Sequence, residues 1–251
     1  MNRSESHQKL EPHPVLPAYY ARQDDRAAFV RRLFDETAPH YDRIERLFSL
    51  GSGARYRRQS LLKAGLRPGL RLVDIAVGTG LVAREAVAIL GRESDVIGID
   101  LSHAMLRAAR ARLTIPLIQG AAEHLPLADG SADFLTMGYA LRHMSDLMSA
   151  FGEFHRVLRP GGKMLMLEIG RPSKRLGRLA LSSYLGGVVP WFSRWATGQP
   201  AAQTLMRYYW ETIENCVPVD AITDAMQRSG FAAIECRTDF HVLRSYTGRK
   251  D

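Results

Sequence analysis

The run Leu72-Val73-Asp74-Ile75-Ala76-Val77-Gly78-Thr79-Gly80 constrains this chain more than any other stretch. It reads as a short buried strand entering a glycine loop, with the helical pattern Leu81 to Leu90 directly behind it. Glycine at 78 and 80 lets the backbone turn tightly and approach a ligand with no Cβ in the way. The helix that opens there offers free N–H groups and a positive dipole end. Further on, Asp95-Val96-Ile97-Gly98-Ile99-Asp100 is a second strand that ends in a carboxylate. Such a pair of features belongs to nucleotide-binding α/β sheets, in which the terminal acid holds a ribose hydroxyl pair.

Two ligands compete for the loop. Gly78-x-Gly80-x-x-Ala83 fits the dinucleotide fingerprint, so an NAD-dependent oxidoreductase is one reading. Asp74 argues for another. A carboxylate at the end of the first strand would repel a pyrophosphate by about 4 kcal/mol for unit charges near 4 Å at an effective dielectric near 20. The same carboxylate suits S-adenosylmethionine, which carries a sulfonium and an ammonium and no phosphate. Asp-x-x-x-Gly-x-Gly followed by a distant Asp is therefore read as an S-adenosylmethionine site, against the bland alternative of a glycine turn with no ligand.

Strands and helices alternate from here: strand 71–75, helix 81–90, strand 95–100, helix 103–112, strand 115–119, and a fourth strand over Ala132 to Met137. Leu147, Met148, Phe151, Phe154 and Leu158 share a helical period, and Arg159-Pro160-Gly161-Gly162 turns into the strand Lys163 to Ile169. This alternation predicts a largely parallel sheet covered by helices on both faces. Pro218 to Ser229 reads as a helix, and Phe231–Arg237 and Val242–Gly248 as a terminal antiparallel hairpin.

Two segments stand outside the alternation. Residues 1–24 are polar, with Pro12, Pro14 and Pro17, and are expected to form a flexible tail before a single domain over 25–251. Residues 25–68 read as a helical cap, broken at Thr37-Ala38-Pro39 and Gly51-Ser52-Gly53. Residues 170–213 read as an inserted helical lid with Arg171, Lys174, Arg175 and Arg178 ahead of Tyr184, Trp191, Phe192, Trp195, Tyr208, Tyr209 and Trp210. Those aromatics either pack the lid, line a pocket for an apolar acceptor, or touch a lipid surface.

In 251 residues, 46% hydrophobic and 24% charged content is ordinary for a globular domain with a sizeable core. The formal charge of +8 invites an anionic surface, but the arginines are dispersed and no nucleic-acid motif accompanies them, so no nucleic acid is expected. Cys216 and Cys236 have no metal-type spacing, and no metal is expected. The start of the chain lacks a signal-peptide pattern and no apolar run reaches membrane-spanning length. A cytoplasmic protein is the expectation, peripheral to the inner face of a membrane if the lid makes contact.

With these residues in hand, the chain resembles class I S-adenosylmethionine-dependent methyltransferases, and within them the C-methyltransferases of ubiquinone and menaquinone biosynthesis. The resemblance runs from about Phe34 to Lys250. It rests on Phe34 with Ala38-Pro39-His40-Tyr41-Asp42, Gly51 with Tyr56-Arg57-Arg58, Val73 to Gly80, Gly98 to Ser102 with Met105-Leu106, Ala122 to Asp129, Arg156 to Gly162, and Leu167-Glu168-Ile169. It implies a Rossmann-like, seven-stranded, mostly parallel sheet with the terminal hairpin antiparallel. It also implies that Thr79, Gly78 and Gly80 surround the methionine moiety of the cofactor, beside the Asp74 that the charge argument assigns to the same site. Asp100 with the adjoining Leu101 would take the ribose, Ala121 and Ala122 would flank the adenine, Gly138 would lie near the sulfonium, and Tyr41 would close over it.

The chain departs from the family in places. Ala121 stands where an Asp or Asn usually accepts the adenine amino group, Leu81 replaces an acid after the glycine loop, and Arg142-His143 replaces an Arg-Asn pair.

Methyl transfer from a sulfonium is an in-line displacement in which positioning supplies most of the acceleration, about 7–11 kcal/mol. His143 is the expected general base, with a helix-capping or packing role as its alternative, and Arg142 the group that polarises a substrate oxygen, with an ordinary surface or ion-pair role as its alternative. Glu123 and His124 are not assigned to catalysis. The acceptor is read as a small apolar or aromatic molecule, either a quinone precursor or a soluble specialised metabolite methylated on oxygen or nitrogen. A non-catalytic binding module of the same fold stands as a remote alternative. The oligomeric state is open, a homodimer being one arrangement.

Overall fold

A computed structural model describes residues 9–49, 51–172, 175–188 and 200–251. Its centre is a seven-stranded sheet of β1 (Leu72–Ile75), β2 (Val96–Asp100), β3 (Leu117–Gln119), β4 (Ala132–Gly138), β5 (Leu158–Ile169), β6 (Phe231–Asp239) and β7 (Leu243–Lys250). The order is β3-β2-β1-β4-β5-β7-β6. The pairs β1–β2, β1–β4, β2–β3 and β4–β5 are parallel, and β7 pairs antiparallel with both β5 and β6. This is the mostly parallel sheet with an antiparallel terminal hairpin that the alternation predicts. The strand order reverses between β1 and β4, which is where such sheets open a ligand crevice at their carboxyl ends.

The helices are α1 (Arg26–Thr37), α2 (Tyr41–Ser49), α3 (Gly53–Lys63), α4 (Leu81–Leu90), α5 (His103–Arg110), α6 (Leu147–Val157), α7 (Arg175–Ser183), α8 (Pro200–Asn215) and α9 (Val219–Arg228). Local chemistry sets their ends. Ser102 accepts a hydrogen bond from the Met105 N–H and caps α5, and Asp146 accepts from Met148 and Ser149 to cap α6. Left-handed Gly80 and Gly91 bracket α4. Phe151, Phe154, Leu135, Met137 and Met226 are buried on one face of the sheet, and Val82, Ala86, Leu61, Phe134 and Leu165 on the other. The four residues of β1 are buried throughout, as a central parallel strand requires.

The cap forms a third cluster with α8, in which Leu33, Ile44, Leu205, Met206, Tyr208 and Ile213 are buried. Two aspartates fasten it to the sheet. The Asp35 carboxylate accepts from the Ser102 hydroxyl (2.6 Å), and that of Asp42 accepts from the Thr79 hydroxyl (2.5 Å) while pairing with Arg112 at 3.0 Å. Tyr41 is thereby held over the carboxyl end of the sheet.

The tail expected over 1–24 is not loose where it is described. Residues 9–20 run as a strap: the Leu10 N–H donates to Asp146, the Leu147 N–H to the Leu10 carbonyl, and the Val217 N–H to the Pro12 carbonyl. Leu16 and Tyr20 are buried, and the wholly buried Arg26 donates to the carbonyls of His13 (2.6 Å) and Met144 (3.0 Å). Apart from the buried Leu16 and Tyr20, the anchors are backbone groups meeting Arg26, Asp146, Leu147 and Val217, which hydropathy patterning does not register. Of the expected lid, α7, a π-turn over Tyr184–Val188 and α8 are helical. Lys174, Trp191, Phe192 and Trp195 lie outside the described residues.

Candidate functional site

The carboxyl ends of β1, β2 and β4 open into a cavity of about 530 Å³. Residues at and just beyond the strand ends build it: Ile75 and Ala76 at β1, Asp100 and Leu101 at β2, and Gly138, Tyr139 and Ala140 at β4. Ala76 (φ 54°) and Tyr139 (φ 62°) are non-glycine residues in left-handed backbone, at the ends of two neighbouring strands. Each costs conformational energy that the surrounding fold must hold, as functional crevices commonly do.

Asp100 forms the polar end. One carboxylate oxygen accepts from the Gly78 N–H and the other from the Ser102 N–H, both at 2.8 Å. Each oxygen retains a further lone pair, the acceptor set that a vicinal diol needs. Burial pushes the Asp100 pKa up to about 6, against the pull of the Ser102 and Gly78 donors. Gly120, Ala121 and Ala122 give the same cavity a wall of small residues that a flat ring can lie against, with the Glu123 carboxylate beside them. A nucleoside joined to a cationic amino acid fits these features.

Not every expected cofactor residue lies on the cavity wall. Tyr41, Gly78, Asp100, Leu101, Ala121, Ala122 and Gly138 line it. Asp74 does not: it is buried beneath the loop, where its Oδ1 accepts from the Thr136 hydroxyl at 2.8 Å and its Oδ2 has no partner among the described residues. Burial raises its pKa to about 7. Its position on β1 points it under the loop, so the charge argument that singled it out in the sequence does not operate by contact. Thr79 and Gly80 also stay off the wall. The first ties the loop to α2 through Asp42, and the second packs where an added Cβ would lie 2.6 Å from Leu113.

The expected catalytic pair is corrected more sharply. Arg142 has no exposed surface and lines none of the cavities found among the described residues. Its guanidinium is ion-paired with Glu168, hydrogen-bonded to the Thr212 hydroxyl at 3.2 Å, and set 5.2 Å from the Tyr209 ring centroid. Burial opposes its charge, yet Glu168 carries its pKa above the ordinary arginine value. It cannot reach a substrate oxygen from there.

His143 does line the cofactor cavity, but it is stacked between Tyr208 and Tyr209 with ring centroids 5.4 Å away on each side. Burial first, and then the charge of Arg142, hold its pKa well below the usual value. The imidazole is neutral and a weak proton acceptor, because protonating it would place a second cation beside Arg142.

A second cavity, of about 420 Å³, abuts the first. Its wall is largely apolar and comes from distant parts of the chain: Ile44 of α2, Tyr56 of α3, Ile169 after β5, Leu181 of α7, Tyr184, Met206 of α8, and Phe240 and Leu243 around the β6–β7 turn. Tyr41, Tyr139 and Tyr209 line both cavities, and the Tyr41 and Tyr209 hydroxyls are 3.1 Å apart. A group held in one cavity therefore faces a group held in the other across a tyrosine partition. Sequence reasoning named Tyr41 alone of these three for the site. Tyr209 had only its place in an aromatic-rich lid to mark it, and Tyr139 had no signal, because a left-handed tyrosine leaves no trace in hydropathy.

The family model described as the ubiE/COQ5 methyltransferase family matches residues 21–248. A demethylmenaquinone methyltransferase from Symbiobacterium thermophilum is 30% identical over 230 residues, covering 88% of this chain and 90% of its own. The ubiquinone/menaquinone biosynthesis C-methyltransferase UbiE of Bordetella avium is 33% identical over 218 residues, covering 85% and 84%. Among solved structures, an S-adenosylmethionine-dependent methyltransferase from Thermotoga maritima, described as a possible histamine N-methyltransferase, has a TM-score of 0.59 at 23% identity, covering 88% of this chain and 99% of that one. The [4+2]-cyclase SpnF reaches a TM-score of 0.62 at 17% identity, with 96% and 99% covered. At those identities the structures speak to the fold alone.

Proposed function

The chain belongs to the ubiE/COQ5 methyltransferase family and is an S-adenosylmethionine-dependent methyltransferase; on that premise we propose that its acceptor is a demethylated quinone in its reduced, hydroquinone form, methylated on a ring carbon. Reduction matters because an electron-poor quinone ring does not attack an electrophilic methyl group, whereas a hydroquinone ring does. The observation that carries the reading is the apolar 420 Å³ cavity meeting the cofactor cavity at Tyr41, Tyr139 and Tyr209. It offers a fused ring and the first part of an isoprenoid tail an apolar bed. The tyrosine partition leaves the ring edge facing the methyl donor.

Within this reading Asp100 takes the ribose diol, and Gly120, Ala121 and Ala122 take the adenine, with Glu123 as the carboxylate nearest to replace the acceptor missing at Ala121. Gly78 and Gly138 give the backbone room for the methionine portion, and Tyr41 covers it from the cap. When bound, the cofactor supplies an electrophilic methyl on a sulfonium. The protein supplies orientation and exclusion of water.

The surface near the acceptor cavity bears on where the acceptor is met. Phe240 of its wall stands outward on the β6–β7 turn (79% exposed), and Leu176 (81%) and Leu179 (64%) stand outward on α7, the helix that gives Leu181 to that wall. Among the described residues no helix is long and apolar enough to cross a membrane. Exposed apolar side chains with Arg175 and Arg178 on the same helix are the composition of a peripheral contact with an anionic bilayer. Through it a tailed acceptor enters sideways from lipid.

One experiment tests both points. The chain is incubated with methyl-labelled S-adenosylmethionine and reduced demethylmenaquinone carried in anionic vesicles, and the vesicles are then sedimented. Ring-methylated product and salt-reversible co-sedimentation are expected. Label that enters only water-soluble phenols or amines, with the chain left in the supernatant, would favour the soluble-metabolite reading.

A further inference from the structure

Glu45 is the sole carboxylate among the described residues that line the acceptor cavity. It comes from α2 one turn beyond Tyr41, so its side chain projects from the same helix face as the tyrosine that borders the cofactor cavity. The carboxylate is sparingly exposed, at 16%, and is held by a buried partner: Arg57 of α3, 3% exposed, donates through Nη1 to Glu45 Oε1 at 2.8 Å. The fold makes room for this pair at one residue. A Cβ on Gly53 would collide with Glu45 Oε1 and lie 3.0 Å from Arg57 Nη1. Among the described residues Arg57 occupies Oε1, and Oε2 has no hydrogen bond.

An ion-paired carboxylate in an apolar chamber is costly, and burial alone does not favour it over an apolar pair. The groups that line the cavity with it are Arg55 and the phenols of Tyr41, Tyr56, Tyr139, Tyr184 and Tyr209, with Arg57 as its partner. Burial pushes the Tyr56 pKa up to about 12 and raises that of Tyr41, so both are neutral and neither can take a proton at physiological pH. His143 is set on the cofactor side, shielded by Tyr209, and Arg142 is bound to Glu168. A hydroxylated ring in this cavity meets one proton acceptor, Glu45.

We propose that Glu45, oriented by Arg57, is the catalytic base that receives the hydroxyl proton of the acceptor. This rests on the hydroquinone reading above. The phenolic O–H bond breaks and its proton passes to Glu45, while the ring carbon adjacent to the hydroxyl-bearing carbon attacks the methyl group. The carbon–sulfur bond of the donor breaks and its electron pair stays on sulfur. The methylated ring carbon then loses its own hydrogen as a proton to water, which restores the aromatic ring, and Glu45 returns its proton to the oxygen. One proton is released in total, with no oxidant or reductant. Arg57 is a positioning residue: its hydrogen bond to Oε1 fixes the carboxylate and leaves Oε2 toward the acceptor.

The test uses Glu45→Gln and Glu45→Asp in the full chain. With dithionite-reduced demethylmenaquinone bearing a short prenyl tail, Glu45→Gln is expected to lower kcat by about 10²–10⁴-fold, the range of general-base catalysis. The acceptor KM and the affinity for S-adenosylmethionine, measured by calorimetry, are expected to stay within about threefold. Glu45→Asp, which keeps the charge but retracts it, is expected to fall between.

A second readout needs no turnover. 4-Nitrophenol bound to the cofactor-free protein is titrated by its absorbance; donation to an anionic Glu45 keeps it protonated, so its midpoint is expected to lie higher in the wild type than in Glu45→Gln. A Glu45→Gln enzyme with kcat within threefold of wild type, or identical nitrophenol midpoints in the two proteins, overturns the proposal. If the wild type fails to methylate the hydroquinone, the acceptor reading falls, and the nitrophenol titration still decides whether Glu45 faces a bound hydroxyl.

Discussion

The two cavities that meet at the tyrosine partition are built on different principles. The cofactor cavity is walled by residues at the ends of β1, β2 and β4, three adjacent strands whose positions the sheet ladder fixes. The acceptor cavity is walled by α2, α3, α7, α8 and the β6–β7 turn, elements appended to that sheet and joined by side-chain packing. A sheet ladder tolerates little drift, so it suits a cofactor whose methyl must be presented with sub-ångström precision. Packed helices can be repacked without disturbing the ladder, which suits a pocket whose occupant varies.

Substitutions can break or sharpen this contrast. The largest effect is expected at Glu168, which underlies both cavities because its partner Arg142 packs against Tyr209 of the partition. Glu168→Gln leaves a fully buried guanidinium without its counter-charge and should cost about 3–5 kcal/mol of stability. Urea unfolding measures it, and a loss under 1 kcal/mol would mean that solvent reaches Arg142.

Asp100→Ala comes next and should act on one cavity only. Removing the acceptor of the Gly78 and Ser102 N–H groups and of the proposed diol is expected to weaken S-adenosylmethionine by about 2–3 kcal/mol, roughly 30- to 150-fold in Kd. The acceptor KM should hardly change; a parallel rise in both would show that the partition does not separate the cavities.

Asp74→Asn gives the smallest change in ligand binding and the most specific effect. Burial raises the Asp74 pKa from 3.8 to about 7 in the folded chain. A carboxyl whose folded pKa is raised stabilises the fold fully below the unfolded value, and that contribution is lost as pH rises through the folded one. Between pH 4 and 7 the group therefore removes up to about 1.4 kcal/mol per pH unit. The asparagine variant should flatten that slope in unfolding curves while holding the S-adenosylmethionine Kd within threefold, since Asp74 is not on the cavity wall. A large loss of affinity would return Asp74 to the contact role that its place in the sequence suggested.

Local order in the chain decided what could be read without coordinates. The glycine loop and Asp100 sit at the ends of β1 and β2, so the alternation that predicted the sheet also carried them to its carboxyl end, whereas Ala121, Ala122 and Gly138 were legible only through the family resemblance. Asp74 failed for a reason of the same kind: period-two alternation puts a strand residue on one side or the other, and loop spacing does not say which. Arg142 and His143 were correctly placed after β4, but α8, seventy residues further on, buries them. Nothing near them in the chain marks Thr212, Tyr208 and Tyr209 as their neighbours. The strap over residues 9–20 escaped because its anchors are mostly backbone groups meeting Arg26, Asp146 and Val217.

The sequence by itself determined the parallel sheet, its antiparallel finish and the switch-point loop, and its family resemblance carried the class of cofactor. The first three follow from hydropathy period and glycine and proline placement, which act over a few residues. Only the tertiary structure decided which carboxylates face a cavity, that Tyr41, Tyr139 and Tyr209 form one wall, and that Glu45 and Arg57 meet inside an apolar chamber. Contacts between residues far apart in the chain are set by how whole elements pack, and packing depends on the summed shape of surfaces that no short stretch of sequence contains.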